Sequence, residues 1–242
     1  MQTNIYFNSI KNWDNKTWLS SLEYISSFNK FLISRLKLNY NSKIIDIGCG
    51  RGKILGNLSN KLKLKKKPLG VDVENHKDRD KRIDFKKIDA ISFFKTSNQT
   101  FDLILIKQTI HLLKISEIKN LLNFCKNKLT NNGKIVILTL DPFHNQIPTF
   151  SIMAKHLKVS LERDKKIMKL ISKLYPNSIR TNFTFNVKIS KKKYTDMIKK
   201  RYISILLKLS FKQILQGIEE INIKYKKVLK FNDKLKCVII KK

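Results

Sequence analysis

The chain is short of the residues that punctuate or staple small folds: its 242 residues include four prolines, seven glycines, three cysteines and two tryptophans. Cys49, Cys125 and Cys237 stand far apart with no paired spacing, which excludes a disulfide framework and a thiolate metal site. So little proline and glycine also excludes collagen-like and low-complexity chains. No uncharged apolar stretch reaches the roughly 18 to 20 residues of a bilayer-spanning helix, and the longest runs, such as Phe101 to Ile106, have the size of strands. The opening residues, MQTNIYFNSIKNWD, lack a basic region followed by an apolar one, so no secretory signal is read and a reducing, cytoplasmic setting is expected.

Acidic residues are scarce as well. Against 51 Lys and Arg there are 18 Asp and Glu, a net charge of +33 that would draw phosphates or anionic headgroups. Only seven of the basic residues are Arg, so the forked donors that dominate base and phosphate recognition are few. Lys, Asn and Ile are abundant together, the joint bias of an AT-rich coding sequence. That bias accounts for a Lys-rich solvated surface without any partner.

What is present is enough apolar mass, 42% of residues, for a sizeable core, with no repeat or linker that divides the chain. A helix is expected over about residues 15 to 38, where Leu19, Leu22, Ile25, Phe28, Leu32 and Leu36 form one apolar stripe. Apolar strands and helical stretches then alternate: a strand at Lys43 to Ile47, a helix at about Lys53 to Leu64, and strands at Leu69 to Val73, Phe85 to Ile88 and Phe101 to Ile106. A helix capped by Ser116 follows, ended by Asn131, Asn132 and Gly133 before a strand at Lys134 to Leu140. Continuous apolar strands between amphipathic helices predict an α/β fold, a doubly wound sheet that is mostly parallel and covered on both faces.

Beyond Pro142 the rhythm becomes helical. Met153, Leu157, Leu161, Met168, Ile171 and Leu174 recur at helical spacing, which predicts a helical insertion over about 142 to 204 within a single domain whose core is about 40 to 140 and 205 to 242. Another helix at about Ser210 to Glu220 leads to two closing strands, Asn222 to Phe231 and Leu235 to Ile240. Their hairpin-like join at Asn232 and Asp233 predicts an antiparallel end to a seven-stranded sheet.

The chemistry-bearing stretch is IIDIGCGRG, Ile44 to Gly52, where an apolar strand ends in Asp46 and runs into Gly48, Cys49, Gly50 and Gly52. Three of the seven glycines fall within five residues, which lets the backbone turn sharply and lets a ligand lie against the main chain, facing the next helix's N-terminus. A nicotinamide fingerprint would need Gly three residues after its second Gly, and Lys53 stands there instead.

This stretch resembles motif I of the class I S-adenosylmethionine-dependent methyltransferases, and the resemblance runs over about Ile44 to Leu140. It implies a Rossmann-like fold with S-adenosyl-L-methionine as cofactor. It implies that Asp72 in GVDVE, with Val73 beside it and Glu74 as the fallback acid, grips the ribose hydroxyls, and that Asp89 with Ala90 meets the adenine amino group. FDLILIKQTIHLL, Phe101 to Leu113, is similar to the family's fourth motif, with Lys107 and Gln108 at loop positions where many members carry Ser-Asn or similar residues. Asp46 either binds the methionine ammonium or fixes the glycine loop.

The activity so implied is methyl transfer by direct displacement to a small-molecule acceptor, under an insertion completed by Tyr6, Phe7, Trp13 and Trp18. His111 is the candidate general base, with His144 second; a packed, hydrogen-bonded histidine is the other reading of His111. Two alternatives stay open: an RNA-modifying methyltransferase, on the charge and the Lys runs at Lys61 to Lys67 and Lys191 to Arg201, and an S-adenosylmethionine-binding protein without catalysis. Against the first, Lys107, Gln108 and Thr109 stand directly after the fourth strand, where an Asn/Asp-Pro-Pro-aromatic motif or an attacking cysteine would be needed.

Overall fold

The structure is a computed structural model that describes residues 17–242. Tyr6, Phe7, Trp13 and the start of the first predicted helix lie outside the described residues. Helix α1 is Leu22–Arg35. The alternating region follows as β1 Ile44–Ile47, α2 Lys53–Leu62, β2 Leu69–Asp72, β3 Asp84–Lys87, α3 Ala90–Thr96, β4 Phe101–Lys107, α4 Ile115–Asn127 and β5 Leu129–Leu140. Then come α5 Ser151–Leu174, β6 Ile179–Ser190, α6 Lys191–Lys199, α7 Phe211–Lys224 and β7 Val228–Lys241.

The sheet has seven strands in the order β3-β2-β1-β4-β5-β7-β6. Pairs β2–β3, β1–β2, β1–β4 and β4–β5 are parallel, and β7 runs antiparallel to β5. The strand order reverses at β1, so the crevice beyond the carboxyl ends of β1 and β4 is the switch point where such sheets take ligands. Alternation along the strands buries both faces. Ile45, Ile47, Val71, Ile104, Ile106, Ile135 and Ile137 join Phe93, Phe94, Ile118, Leu121 and Leu122 in one core cluster, while Ile44, Leu103 and Leu105 point to the opposite face and are equally buried.

The chain forms two compact units. One comprises Ile25–Leu140, Lys166–Phe183 and Leu235–Lys242; the other holds the described residues up to Tyr24 together with Asp141–Lys165 and Thr184–Lys234. In the latter, buried Trp18 donates to Asp233 Oδ2 at 2.9 Å and packs edge-on against Phe231 at 5.2 Å, so this tryptophan is core rather than a free lid aromatic. Ser151 donates twice to Glu220, and the Tyr225 hydroxyl bonds both backbone groups of Thr149.

Three expectations are corrected. The two closing strands are one: β7 runs unbroken through Asn232 and Asp233, because the inward residues Leu229, Phe231, Asp233, Leu235 and Cys237 keep period two, and Asp233 is satisfied by Trp18 instead of by a turn. Asn222 belongs to α7, whose N-terminus is capped by Ser210. The insertion is not wholly helical, since IRTNFTFNVKIS forms β6 with Phe183, Val187 and Ile189 buried at alternate positions. Finally, α4 starts at Ile115 with the Glu117 carboxylate accepting from the Lys114 N–H at 2.8 Å, and Asn131, Asn132 and Gly133 are part of β5.

Candidate functional site

The three alternating glycines of the turn after β1 adopt left-handed backbone: Gly48 at φ 69°, Gly50 at φ 53° and Gly52 at φ 67°. Each position differs in what surrounds it. A Cβ at Gly48 would sit 2.3 Å from the Thr109 hydroxyl oxygen and one at Gly52 would sit 2.2 Å from Ile83 Cδ1, whereas one at Gly50 would meet nothing within 4 Å. The turn is therefore packed at its two ends and presents bare backbone in its middle. Gly52 N-caps α2, so the first turn of that helix has no side-chain cap.

Register fixes the charged groups around the turn. Asp46 pairs with Gly70 of β2 and with Leu105 of β4, so Asp72 and Lys107, each two residues further on, lie on the same sheet face on either side of it. Asp72 Oδ2 accepts the Gly50 N–H at 2.8 Å and Oδ1 accepts the Glu74 N–H at 2.9 Å, so the carboxylate points at the glycine turn. Glu74, the fallback acid, contributes its backbone to Asp72. Val73 between them is 59% exposed, an apolar side chain left at the rim.

Asp46 is buried, and its Oδ1 has no hydrogen-bond partner. Burial pushes its carboxyl up to about 7; the Lys107 ammonium pulls it down and the Asp72 charge pushes it up. The Cys49 thiol is likewise held high, by burial first and then by Asp46 and Asp72, which makes it an inert packing group against Gly70. On the β4 side, Lys107 Nζ donates to Gln108 Oε1 at 2.9 Å and stands 5.6 Å from the Phe28 ring centre. Gln108 is in left-handed backbone at φ 52°, with its N–H bonded to the Leu138 carbonyl, and the Thr109 hydroxyl donates to the Lys107 carbonyl. Gln108, in a sparsely populated backbone conformation, is thus held from both sides in a built loop at the end of β4.

Asp89 is the N-cap of α3, its Oδ1 accepting from the Ser92 N–H at 2.9 Å, and that bond holds its carboxyl below the usual range; Ala90 opens the helix. His111 is half-buried on the single turn Ile110–Leu112 just after Thr109. His144 belongs to the other compact unit, mostly exposed, with Nδ1 3.5 Å from Asp141 Oδ2.

Sequence reasoning missed two supports. Buried Arg51 donates from Nε to both oxygens of Asp78 at 2.8 Å, and its carbonyl accepts the Asp80 N–H, tying the loop after β2 to the glycine turn. Burial acts to raise the Asp78 carboxyl, but the Arg51 hydrogen bond and charge outweigh it and hold it low. Thr109 is the other, filling the space that Gly48 leaves. The available signal was an Arg inside the glycine turn with Asp78 and Asp80 downstream. A cleft of about 750 Å³ lined by Lys37, Asn39, Asp102, Asn131 and Lys241 lies instead at the amino ends of the strands, the end of the sheet remote from this turn.

The buried state of Asp46 has a measurable consequence. Between its ordinary 3.8 and about 7 the folded chain holds a proton that the unfolded chain has released, so stability falls as pH rises through that window and is level above it. Asp46→Asn is expected to remove about 2–4 kcal/mol of that decline. Urea melts of both proteins at pH 4.5 and 8 check this: equal losses in the two would refute the buried carboxylate. The comparison isolates Asp46 because Asp164, pushed up to about 6 by its own burial with Arg163 opposing, titrates in both proteins.

A parallel sheet reversing at β1, a glycine turn at its carboxyl edge and an acid at the end of β2 aimed at that turn are the architecture of the class I methyltransferase fold. Residues 45–137 match the family model described as a methyltransferase domain. No curated protein sequence matches the chain. Among solved structures, a protein of Anabaena variabilis assigned as a methyltransferase of an antibiotic biosynthesis pathway superposes with a TM-score of 0.60 at 15% identity, over 87% of this chain and 95% of that one. The N-methyltransferase NodS of Bradyrhizobium japonicum, solved with S-adenosyl-L-homocysteine, gives 0.53 at 12% identity over 98% of each chain. An S-adenosylmethionine-dependent methyltransferase of Archaeoglobus fulgidus gives 0.50 at 19% identity over 90% and 94%. At these identities the neighbours show the fold, that of the class I methyltransferases, and residues 45–137 of the chain are similar to the methyltransferase-domain model.

Proposed function

We propose that the chain transfers a methyl group from S-adenosylmethionine to a small-molecule acceptor. The observation that carries this reading is the Asp72 carboxylate aimed at the bare Gly50 backbone, beside a buried carboxylate, Asp46, with an unpartnered oxygen. These residues fit the donor's chemistry. Asp72 has lone pairs left for a ribose diol, the Gly48–Gly52 backbone can lie against the nucleoside, Val73 offers an apolar contact to a base, and Asp89 keeps acceptor capacity for an exocyclic amine. Asp46 would receive the α-ammonium.

When bound, the donor supplies an electrophilic methyl carbon whose bond to sulfur breaks with the electron pair going to sulfur. The chain's own task is alignment and exclusion of water. His111, following the built loop at the end of β4, would take the proton of an acceptor that arrives protonated. The small-molecule reading rests on the absence, among the described residues, of the base-modifying motif after β4 and on the scarcity of Arg.

Titration calorimetry is expected to show S-adenosylhomocysteine binding at micromolar strength, and labelled donor is expected to pass its methyl to an acceptor in a small-molecule panel. No binding at millimolar concentration would overturn the proposal. Bulk tRNA separates the charged alternative: binding that collapses with salt and brings no methyl incorporation reports electrostatics, while incorporation would replace the small-molecule reading.

A further inference from the structure

At the end of the sheet opposite the glycine turn, the compact unit that holds β1 to β5 builds by itself the cleft of about 750 Å³. Pairing between β4 and β5 slips there: from Phe101 to Leu103 β4 advances two residues, while from Leu129 to Lys134 β5 advances five. The three surplus residues bulge out, and they bring Asn131 and Asn132, both exposed, to one wall of the cleft. Gly133 closes the bulge, where a Cβ would lie 2.7 Å from the Phe101 carbonyl oxygen. The loop after α1 forms the other wall as a tight turn, with Asn39 Oδ1 accepting the Asn41 N–H and Ser42 Oγ accepting the Asn39 N–H, each at 2.9 Å.

These walls carry charge of one sign. Lys134 of β5 stands directly opposite Lys241 of β7 in the antiparallel register, with Lys242 next along the chain and Lys37 on the loop wall. Like charges directly opposed on neighbouring strands are destabilising. Among the described residues no carboxylate forms an ion pair with Lys37, Lys134 or Lys241. The acid of the lining, Asp102, is engaged already: Oδ2 accepts the Lys43 N–H at 2.7 Å and Oδ1 accepts from the Thr130 hydroxyl at 2.6 Å. Lys242 is anchored, its Nζ donating to the Leu129 carbonyl at 2.6 Å. Coding bias explains many lysines, but not a concavity walled by four of them and four carboxamides in which the acid is already satisfied.

We infer that this cleft is a second ligand site, separate from the donor edge, that takes a small oligophosphate, either a nucleoside triphosphate or a free inorganic one. Directly opposed residues of an antiparallel pair have Cα atoms about 4.5–5.5 Å apart, so the Lys134 and Lys241 ammonium groups can meet adjacent phosphoryl groups. Such an anion offsets the repulsion between them, which couples its binding to the pairing of β5 with β7. A single orthophosphate is too small to meet both walls at once. The Asn39, Asn41, Asn131 and Asn132 side chains add donors and acceptors of the kind a base edge uses. The volume lies within the roughly 300–1,000 Å³ of small-ligand sites, whereas a nucleic-acid strand takes a groove that tracks its backbone.

Calorimetry and thermal melts with sodium tripolyphosphate, uridine triphosphate and orthophosphate test this. Tripolyphosphate is expected to bind the wild-type chain at about 10–100 μM and to raise its melting temperature by several degrees at about 1 mM, with orthophosphate roughly tenfold weaker or worse. Tighter binding of uridine triphosphate than of tripolyphosphate identifies a nucleotide as the ligand, and equal or weaker binding a free oligophosphate. Lys134→Gln combined with Lys241→Gln is expected to weaken tripolyphosphate about tenfold or more while melting no lower than wild type without ligand, because the repulsion is gone. Lys37→Gln, on the other wall, is expected to weaken it about threefold. Lys192→Gln combined with Lys193→Gln, exposed on α6 in the other compact unit, removes the same charge and should leave affinity within about twofold. The inference is overturned by an unmoved wild-type melting temperature, by orthophosphate binding as tightly as tripolyphosphate, by equal losses in the two double variants, or by a lower unliganded melting temperature for the Lys134 and Lys241 variant. Single-stranded RNA that binds more tightly than tripolyphosphate and depends on the same two lysines overturns it in favour of a nucleic-acid surface.

Discussion

Asp72→Ala is expected to weaken S-adenosylhomocysteine binding about 100-fold with the fold intact. The carboxylate sits at the end of β2 with one oxygen on the Gly50 N–H and the other on the Glu74 N–H, and in the proposed complex it also accepts from two ribose hydroxyls. Hydrogen bonds to a charged acceptor contribute about 1.5–3 kcal/mol each, and their loss, partly offset by water entering the gap, corresponds to roughly 2–3 kcal/mol of affinity. The backbone donors left behind lie in a half-buried turn that water reaches, so the melting temperature should fall by only a few degrees. Asp72→Asn, which keeps one acceptor oxygen, should fall between the two. Calorimetry on the three proteins decides the matter: alanine binding as well as aspartate would remove Asp72 from the site.

The glycines of the turn should separate stability from binding. At Gly48 a methyl group would collide with Thr109, and the residue has φ 69°, so Gly48→Ala combines a left-handed backbone penalty of about 1–2 kcal/mol with overpacking of about 1–3 kcal/mol. A loss of about 2–4 kcal/mol in chemical denaturation is expected. Gly50 has φ 53° but open surroundings, and asparagine is tolerated in left-handed backbone. Gly50→Asn should therefore melt within a few degrees of wild type while binding S-adenosylhomocysteine at least tenfold more weakly, because its side chain stands where the nucleoside must approach. Normal binding by Gly50→Asn would mean that the middle of the turn is not the ligand surface.

These contrasts show what the sequence carried and what it did not. The parallel half was legible because β1, β2, β4 and β5 are continuous apolar runs flanked by amphipathic helices, each a local pattern read from a short window. The glycine turn and the acid after β2 were legible for the same reason. The charged groups on either side of Asp46 were named as candidates, but their shared face depends on the registers Asp46 with Gly70 and Asp46 with Leu105, which no single segment encodes. Thr109 was invisible because its partner, Gly48, is 61 residues away in sequence and the fit is steric. The end of the chain was misread where local chemistry and period disagreed. Asn232 and Asp233 have turn composition, yet the alternation of buried residues from Leu229 to Cys237 continues through them, and a tertiary bond from Trp18 accommodates the acid. In β6 the alternation was present, but the helical spacing that precedes it in α5 dominated the reading.

The pairing of β5 with Leu235–Lys241 bears on how the molecule is made. Strands β1 to β5 are joined by short connections, helical except between β2 and β3, and can assemble as they leave the ribosome, but the strand that seals the outer side of β5 is synthesised about a hundred residues later, some 5–20 s at ordinary elongation rates. For that interval a long, apolar ladder of unsatisfied amide groups is exposed to any other nascent copy nearby. Leu235–Lys241 is thus a seam that closes the outer side of β5 only after the rest of that sheet edge has been made.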